Sequence, residues 1–247
     1  MSFEFLAPDA VEAVNGTMPA LRSPIEWELR EQGANFTDRA GWRVVTDYGD
    51  PVAELAACRT TVGVADLSHL GKLELRAEPG TTAGIVEELT GGGALTLGRA
   101  ILHDEVWWCP MTMSRVVAVT PPERTAEIRD LLEAATSAAS FASVVEMTTS
   151  YGSNAVTGPL SRETFARTMA LDLRPDHFGE GDFAPVSIAR TPGMILRDGP
   201  YRFLHLFGAG FAHYVWTVFI DAAHHLGGRA VGTSALDRAS VGEVAHA

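Results

Sequence analysis

The chain of 247 residues reads as an α+β protein. Three observations predict it. Residues 70–76 alternate, with Leu73 and Leu75 apolar and Lys72, Glu74 and Arg76 charged, which is the period of two of a strand. Asp50-Pro51 followed by Val52, Leu55 and Ala56 is a capped helix start. Strand-like and helix-like stretches then follow one another without the strict alternation that builds a doubly wound sheet.

Residues 1–24 read as a leader over which Pro8, Gly16, Pro19 and Pro24 interrupt any long helix, and which wraps the body or meets a partner. A short helix is expected at 25–33 and extended segments at 34–48, where Trp42 anchors a core. The helix from Asp50 ends near Gly63. Asp66-Leu67-Ser68-His69 reads as a turn, because Asp and Ser side chains bond nearby backbone amides in place of a ladder partner. Gly71 in the following strand signals either a bulge or a close approach by another backbone or a ligand, so Leu70-Gly71 is a pocket floor or a buried strand irregularity.

Beyond it, 81–89 is a helix and Gly91-Gly92-Gly93 a flexible connection, with no Lys-Ser/Thr to make it a phosphate loop. Residues 95–119 hold two or three strands, 124–135 a helix, 142–147 and 151–157 strands, and 161–170 a helix begun by Ser161. An acidic connector at 171–183 leads to strands at 186–190 and 194–197 around a turn at Thr191-Pro192-Gly193. Asp198-Gly199 closes a hairpin to 201–207, and 211–226 is a helix.

A net charge of −12 and a pI near 5.0 argue against nucleic acid or an anionic membrane surface as the main partner. Cys58 and Cys109 are the two cysteines, far apart and without a CxxC, which fits a reduced, cytoplasmic setting better than a disulfide framework. The first twenty residues lack the basic and apolar regions of a signal peptide, and no apolar run reaches the length of a membrane span. His224 and His225 diverge by ~100° on a helix and find no carboxylate at ligand spacing, so no metal site is expected. His205 and His213 read as polar members of a largely buried hairpin and helix.

Several segments together resemble the folate-binding domain of the glycine cleavage T-protein (aminomethyltransferase) family, to which the small (gamma) subunit of heterotetrameric sarcosine oxidase is related. They are Gly41-Trp42 with Tyr48, the helix with Glu54 and Arg59, the stretch 62–76 with its Asp-Leu-Ser-His-Leu-Gly run, 154–159 (NAVTGP), Ala189-Arg190-Thr191, and the closing Gly227-Gly228 and Val231-Gly232. The resemblance covers roughly 25–238 and leaves 239–247 as a tail. It implies two interlocked α+β subdomains of the aminomethyltransferase folate-binding type around a cleft, without the C-terminal β-barrel domain of larger members.

By the same resemblance the cofactor is tetrahydrofolate, in its 5,10-methylene or 5-methyl form, and the substrate a small-molecule amine. The family's catalytic carboxylate has its nearest counterparts in Asp104 and Glu105, within a region reading His103-Asp104-Glu105-Val106-Trp107-Trp108-Cys109-Pro110. Leu70, Gly71, Trp108, Tyr151, Arg190, Arg197 and Tyr201 are the candidate cofactor-binding residues. The family's Gly-Tyr-Thr-Gly-Glu segment is replaced by 192–197 (PGMILR), where Arg197, with Arg190, Tyr201 and Arg202, suits an anionic group. The leading expectation is folate-dependent aminomethyl or methyl transfer. The alternatives are a non-catalytic subunit beside a flavoprotein oxidase partner and a cleft repurposed for another small molecule.

Overall fold

A computed structural model describes residues 21–244, with side chains through 239. The leader expected at 1–24 lies outside the described residues up to 20, and the tail expected at 239–247 lies outside them beyond 244. The chain opens with α1 (Glu26–Glu31), the hairpin β1 (Asn35–Arg39) and β2 (Trp42–Asp47), and α2 (Pro51–Thr60). Asp50 caps α2 as its sequence dictates, its carboxylate accepting from the Ala53 N–H at 3.0 Å. Then come β3 (Gly63–Asp66), β4 (Gly71–Arg76), α3 (Pro79–Leu89), β5 (Ile101–His103), β6 (Val106–Thr112), β7 (Arg115–Thr120), α4 (Thr125–Thr136) and β8 (Ser143–Glu146). The second half holds β9 (Tyr151–Thr157), α5 (Ser161–Ala166), β10 (Phe183–Ile188), β11 (Thr191–Gly199), β12 (Arg202–Gly208), α6 (Ala212–His224), β13 (Arg229–Ala230) and α7 (Thr233–Val244). The boundary expected after 238 falls inside α7.

Two larger sheets organise these elements, with the β1-β2 hairpin as a separate two-stranded sheet. One has six strands in the order β10-β11-β12-β9-β3-β13, the other five in the order β5-β6-β7-β4-β8. Strand alternation sorts the apolar side chains into three layers. Phe203 and Phe207 of β12 face Phe165 of α5 and Val215, Trp216 and Phe219 of α6. Leu204 and Leu206, on the other face of the same strand, meet Cys109, Val117 and Val119 of the second sheet. Leu73 and Leu75, with Val116 and Ala118, pack under Ile85, Val86, Ile128 and Leu132 of α3 and α4. The order is therefore helix, sheet, sheet, helix, with the two sheets sharing the middle layer.

Stretch 62–76 supplies one strand to each sheet, which its sequence pattern does not announce. The charged face of β4 turns inward toward the other sheet, leaving Lys72 and Glu74 at 0% and 1% exposure. Gly71 pairs with Thr120 in regular register and forms no bulge. A Cβ at Gly71 would run into the hydroxyls of Thr120 and Thr125, so the close approach there is made by protein side chains.

The turn expected at 191–193 lies two residues earlier. Ala189 and Arg190 form it with φ of +50° and +60°, and Thr191-Pro192-Gly193 belongs to β11. Pro192 faces Ser187, one step from the closing pair, where antiparallel partners exchange no ladder bonds and the missing N–H costs nothing. The 198–199 turn is displaced in the other direction, since β11 runs through Gly199 with a register shift between Arg197 and Gly199. Of the two histidines expected to be buried, His205 is at 0% exposure, whereas the His213 side chain is 73% exposed and meets Glu28 of α1 at 2.7 Å.

Gly71→Ala is expected to destabilise the fold by roughly 1–3 kcal/mol, the usual penalty for overpacking. Urea unfolding checks this; a midpoint equal to that of the unsubstituted protein contradicts the packing described.

Candidate functional site

Between β3 and β4 the chain crosses from one sheet to the other through the interior. Ser68 and His69 are 2% and 5% exposed there. Buried backbone groups need partners, and the crossing finds them locally. The Leu67 N–H donates to Ser153 O at 2.7 Å, and the Ser153 hydroxyl returns a bond to Leu67 O at 2.6 Å. Ser68 Oγ donates to Asp66 Oδ1 at 2.6 Å, while Lys72 Nζ donates to Ser68 O at 2.8 Å.

Burial then sets the protonation of this group. Loss of water pulls the Lys72 ammonium down to about 7 against the opposing pull of Asp66, and raises Asp66 itself. His69 falls to about 4, from burial first and the nearby Arg39 and Lys72 charges next.

A cleft of about 690 Å³ opens between the two sheets. Met111 and Arg115 line it from the five-stranded sheet; Tyr151, Ser187, Arg190 and Met194 line it from the six-stranded one, with Phe211 at the start of α6. Glu74 stands behind Arg115, its buried carboxylate accepting from the guanidinium groups of both Arg115 and Arg76. Arg190 is exposed, and its side chain makes no hydrogen bond or ion pair among the described residues. Among the described residues the lining carries two guanidiniums and no carboxylate.

Of the nine residues singled out from the sequence, Tyr151 and Arg190 meet at this cleft. Asp104 and Glu105 instead form the two-residue turn of the β5-β6 hairpin, with φ of +48° and +62°. Asp104 is tied to Arg124 at 2.8 Å with its side chain 67% exposed. Together with Trp108, which is 2% exposed, Asp104 borders a smaller cavity of about 160 Å³ under α4. Arg197 is buried and spent on the backbone, donating to Phe178 O and Pro200 O at 2.7 Å each, with Phe203 beneath it at 5.8 Å. Tyr201 is 48% exposed in the β11-β12 turn. Leu70 packs on the middle layer and Gly71 on Thr120 and Thr125; neither lines the cleft. Arg115, Met111, Ser187 and Phe211 were not singled out. The available signal for Arg115 was its place at the start of an apolar strand, one residue after a turn.

No protein-family model matches the chain. Curated proteins similar to it include aminomethyltransferases. That of Mycobacterium tuberculosis (strain ATCC 25618 / H37Rv) is 29% identical over 233 residues, covering 88% of this chain and 61% of that protein. A probable aminomethyltransferase of Halobacterium salinarum is 30% identical over 200 residues, covering 72% and 52%. The chain thus spans 61% of the length of the first of these relatives.

Among solved structures, glycine cleavage system aminomethyltransferase T from Bartonella henselae superposes with a TM-score of 0.71 at 16% identity, covering 87% of this chain and 60% of that one. A chain of heterotetrameric sarcosine oxidase from Corynebacterium sp. U-96, solved in complex with pyrrole 2-carboxylate, gives 0.61 at 20% identity, covering 72% and 93%. The fold is the α+β fold these proteins share, as the sequence resemblance implied.

Lys72 makes stability depend on pH. Its folded value lies below its unfolded one, so between pH 7 and about 10 the unfolded chain binds the extra proton and stability rises with pH, by at most ~1.4 kcal/mol per unit. Lys72→Met is expected to flatten that rise in denaturant titrations at pH 7 to 9.5. A slope retained in the variant contradicts it.

Proposed function

We propose that the chain is a folate-binding, one-carbon transfer protein related to glycine cleavage T-protein, and that the cleft between its sheets is the binding site. The observation that carries this is the cleft itself, on a fold shared with aminomethyltransferase T and in a chain whose curated relatives include aminomethyltransferases. Its volume falls in the range of roughly 300–1,000 Å³ usual for ligands of this size. Tyr151 and Phe211 offer flat faces and the two methionines adaptable apolar contact for a ring, Ser187 and the Tyr151 hydroxyl offer polar contacts at its edge, and the arginines suit a carboxylate tail. The folate domain in this reading spans 25–238.

Tetrahydrofolate, when bound, supplies the nitrogen that accepts or carries the one-carbon unit, in the 5,10-methylene or 5-methyl form. The contribution of the chain is placement. The cleft orients ring and amine substrate and limits water around them, and orientation alone accounts for much of the barrier in reactions of this kind. Among the described residues the lining offers no carboxylate to take up a proton, and Asp104 and Glu105 sit in the β5-β6 turn. The two cysteines are free and buried, which suits a cytoplasmic setting.

A second reading has its own support. The absence of a carboxylate from the lining among the described residues and the 93% coverage of a sarcosine oxidase chain favour a non-catalytic subunit that keeps the fold and meets a flavoprotein partner.

Calorimetric titration with tetrahydrofolate distinguishes the two. Micromolar binding that weakens about tenfold or more in Tyr151→Ala, and is unchanged in Asp104→Asn, is the expected result, a tenfold loss being ~1.4 kcal/mol. No binding to the purified protein, with co-purification of a flavoprotein, overturns the folate reading in favour of the subunit.

A further inference from the structure

The cleft is charged against the grain of the molecule. The protein carries a net charge of −12, yet among the described residues the cleft lining presents Arg115 and Arg190 and no Asp or Glu, with Glu74 set behind Arg115 and outside the lining. A low-dielectric groove of one sign concentrates field and draws an opposite charge even on a surface of the other sign. The two guanidiniums are held by different means, and each means leaves donors free.

Arg115 is held from behind. Glu74 is 1% exposed, on the inward face of β4, and its carboxylate accepts from Nε and approaches Nη2 of Arg115, while Arg76 takes its other oxygen. That engages one edge of the guanidinium fork. Nη1 has no partner among the described residues, and the Arg115 side chain remains 30% exposed beside the cleft. An arginine fixed along one edge presents its remaining N–H groups in a set direction at little further entropy cost.

Arg190 is held by its turn. Ala189 and Arg190 occupy left-handed φ of +50° and +60°, conformations that Asn-Gly adopts at lower cost in a two-residue hairpin. The strained turn places a side chain without partners at the cleft.

We propose that Arg115 and Arg190 form an anion subsite in this cleft, with Glu74 as the positioning residue that aims Arg115 into it, so that the ligand bears a carboxylate or comparable oxyanion at that end. This rests on the reading of the cleft as the binding site and leaves the identity of the ligand's ring open. Glu74 touches no ligand; it acts through Arg115.

Two probes and four variants of the full chain test it. Sulfate and tetrahydrofolate are titrated separately into the unsubstituted protein, Glu74→Gln, Arg115→Met, the double variant, and Ala189→Asn/Arg190→Gly. Both probes are expected to bind, more weakly as salt is raised, and Glu74→Gln and Arg115→Met each to lose roughly tenfold, the scale of one charge-assisted contact. The double variant is expected to lose no more than Arg115→Met alone, because Glu74 acts through Arg115. Ala189→Asn/Arg190→Gly is expected to raise Tm while weakening both probes, which separates a binding role from a structural one.

Unchanged affinity in Glu74→Gln, additive losses in the double variant, or full affinity in Ala189→Asn/Arg190→Gly overturns the proposal while leaving a folate reading intact. Sulfate binding with the expected variant pattern but no tetrahydrofolate binding supports the subsite and overturns the folate reading. Failure of both probes to bind the unsubstituted protein overturns both.

Discussion

The four residues from 67 to 70 have to take the chain from one sheet to the other inside the protein, and the two-sheet arrangement depends on their doing so without orphaned polar groups. Water cannot serve them, and an unpaired buried amide costs on the order of 1–3 kcal/mol. Their partners come from the crossing itself and from one neighbouring strand. Ser153 on β9 both accepts from and donates to Leu67, and Asp66, Ser68 and Lys72 close a short chain of bonds. Because β9 is also the strand that pairs β3, the crossing is pinned to the sheet it has just left. The buried Lys72 is the expensive member, which is why it titrates so far from its usual range.

That crossing explains why the charged face of β4 turns inward. Leu73 and Leu75 are claimed by the helices α3 and α4, so alternation delivers Lys72 and Glu74 to the middle layer. Each is absorbed differently. Lys72 caps the crossing, and Glu74 pairs with arginines where the apolar layer gives way to the cleft. One pattern of alternating residues thus connects the sheets, closes the core over the crossing and furnishes the polar back wall of the proposed binding site.

The fold was legible in the sequence where local chemistry decides it. The Asp50-Pro51 cap, the alternation of β4 and the burial of Trp42 all depend on neighbours in sequence. The strand 63–66 and the turn at Ala189-Arg190 were not legible, since Gly-Val-Ala-Asp carries little strand propensity of its own, and Thr191-Pro192-Gly193 has the composition of a turn while serving as a strand. The site was less legible for a related reason. Residue type predicted that Arg197 would meet an anion, but the acceptors it found are neutral backbone carbonyls, that of Pro200 in its own hairpin turn and that of Phe178 in the connector before β10. Asp104 and Glu105 carry the right group for acid-base chemistry at a place where the chain needs only a turn. Arg190 reaches the cleft because its turn lies there, and Arg115 because β7 begins there; neither fact resides in the composition around them.

Hydrogen exchange of the free protein and of the protein with saturating tetrahydrofolate tests the central claim, that the space between the sheets is where the ligand sits. The account predicts new protection confined to the β10-β11 turn around Arg190, the β6-β7 segment carrying Met111 and Arg115, and the start of β9 at Tyr151, with the β5-β6 hairpin at Asp104-Glu105 unchanged. Protection centred on Asp104-Glu105 and the cavity beside Trp108, with the inter-sheet segments unaltered, would contradict it.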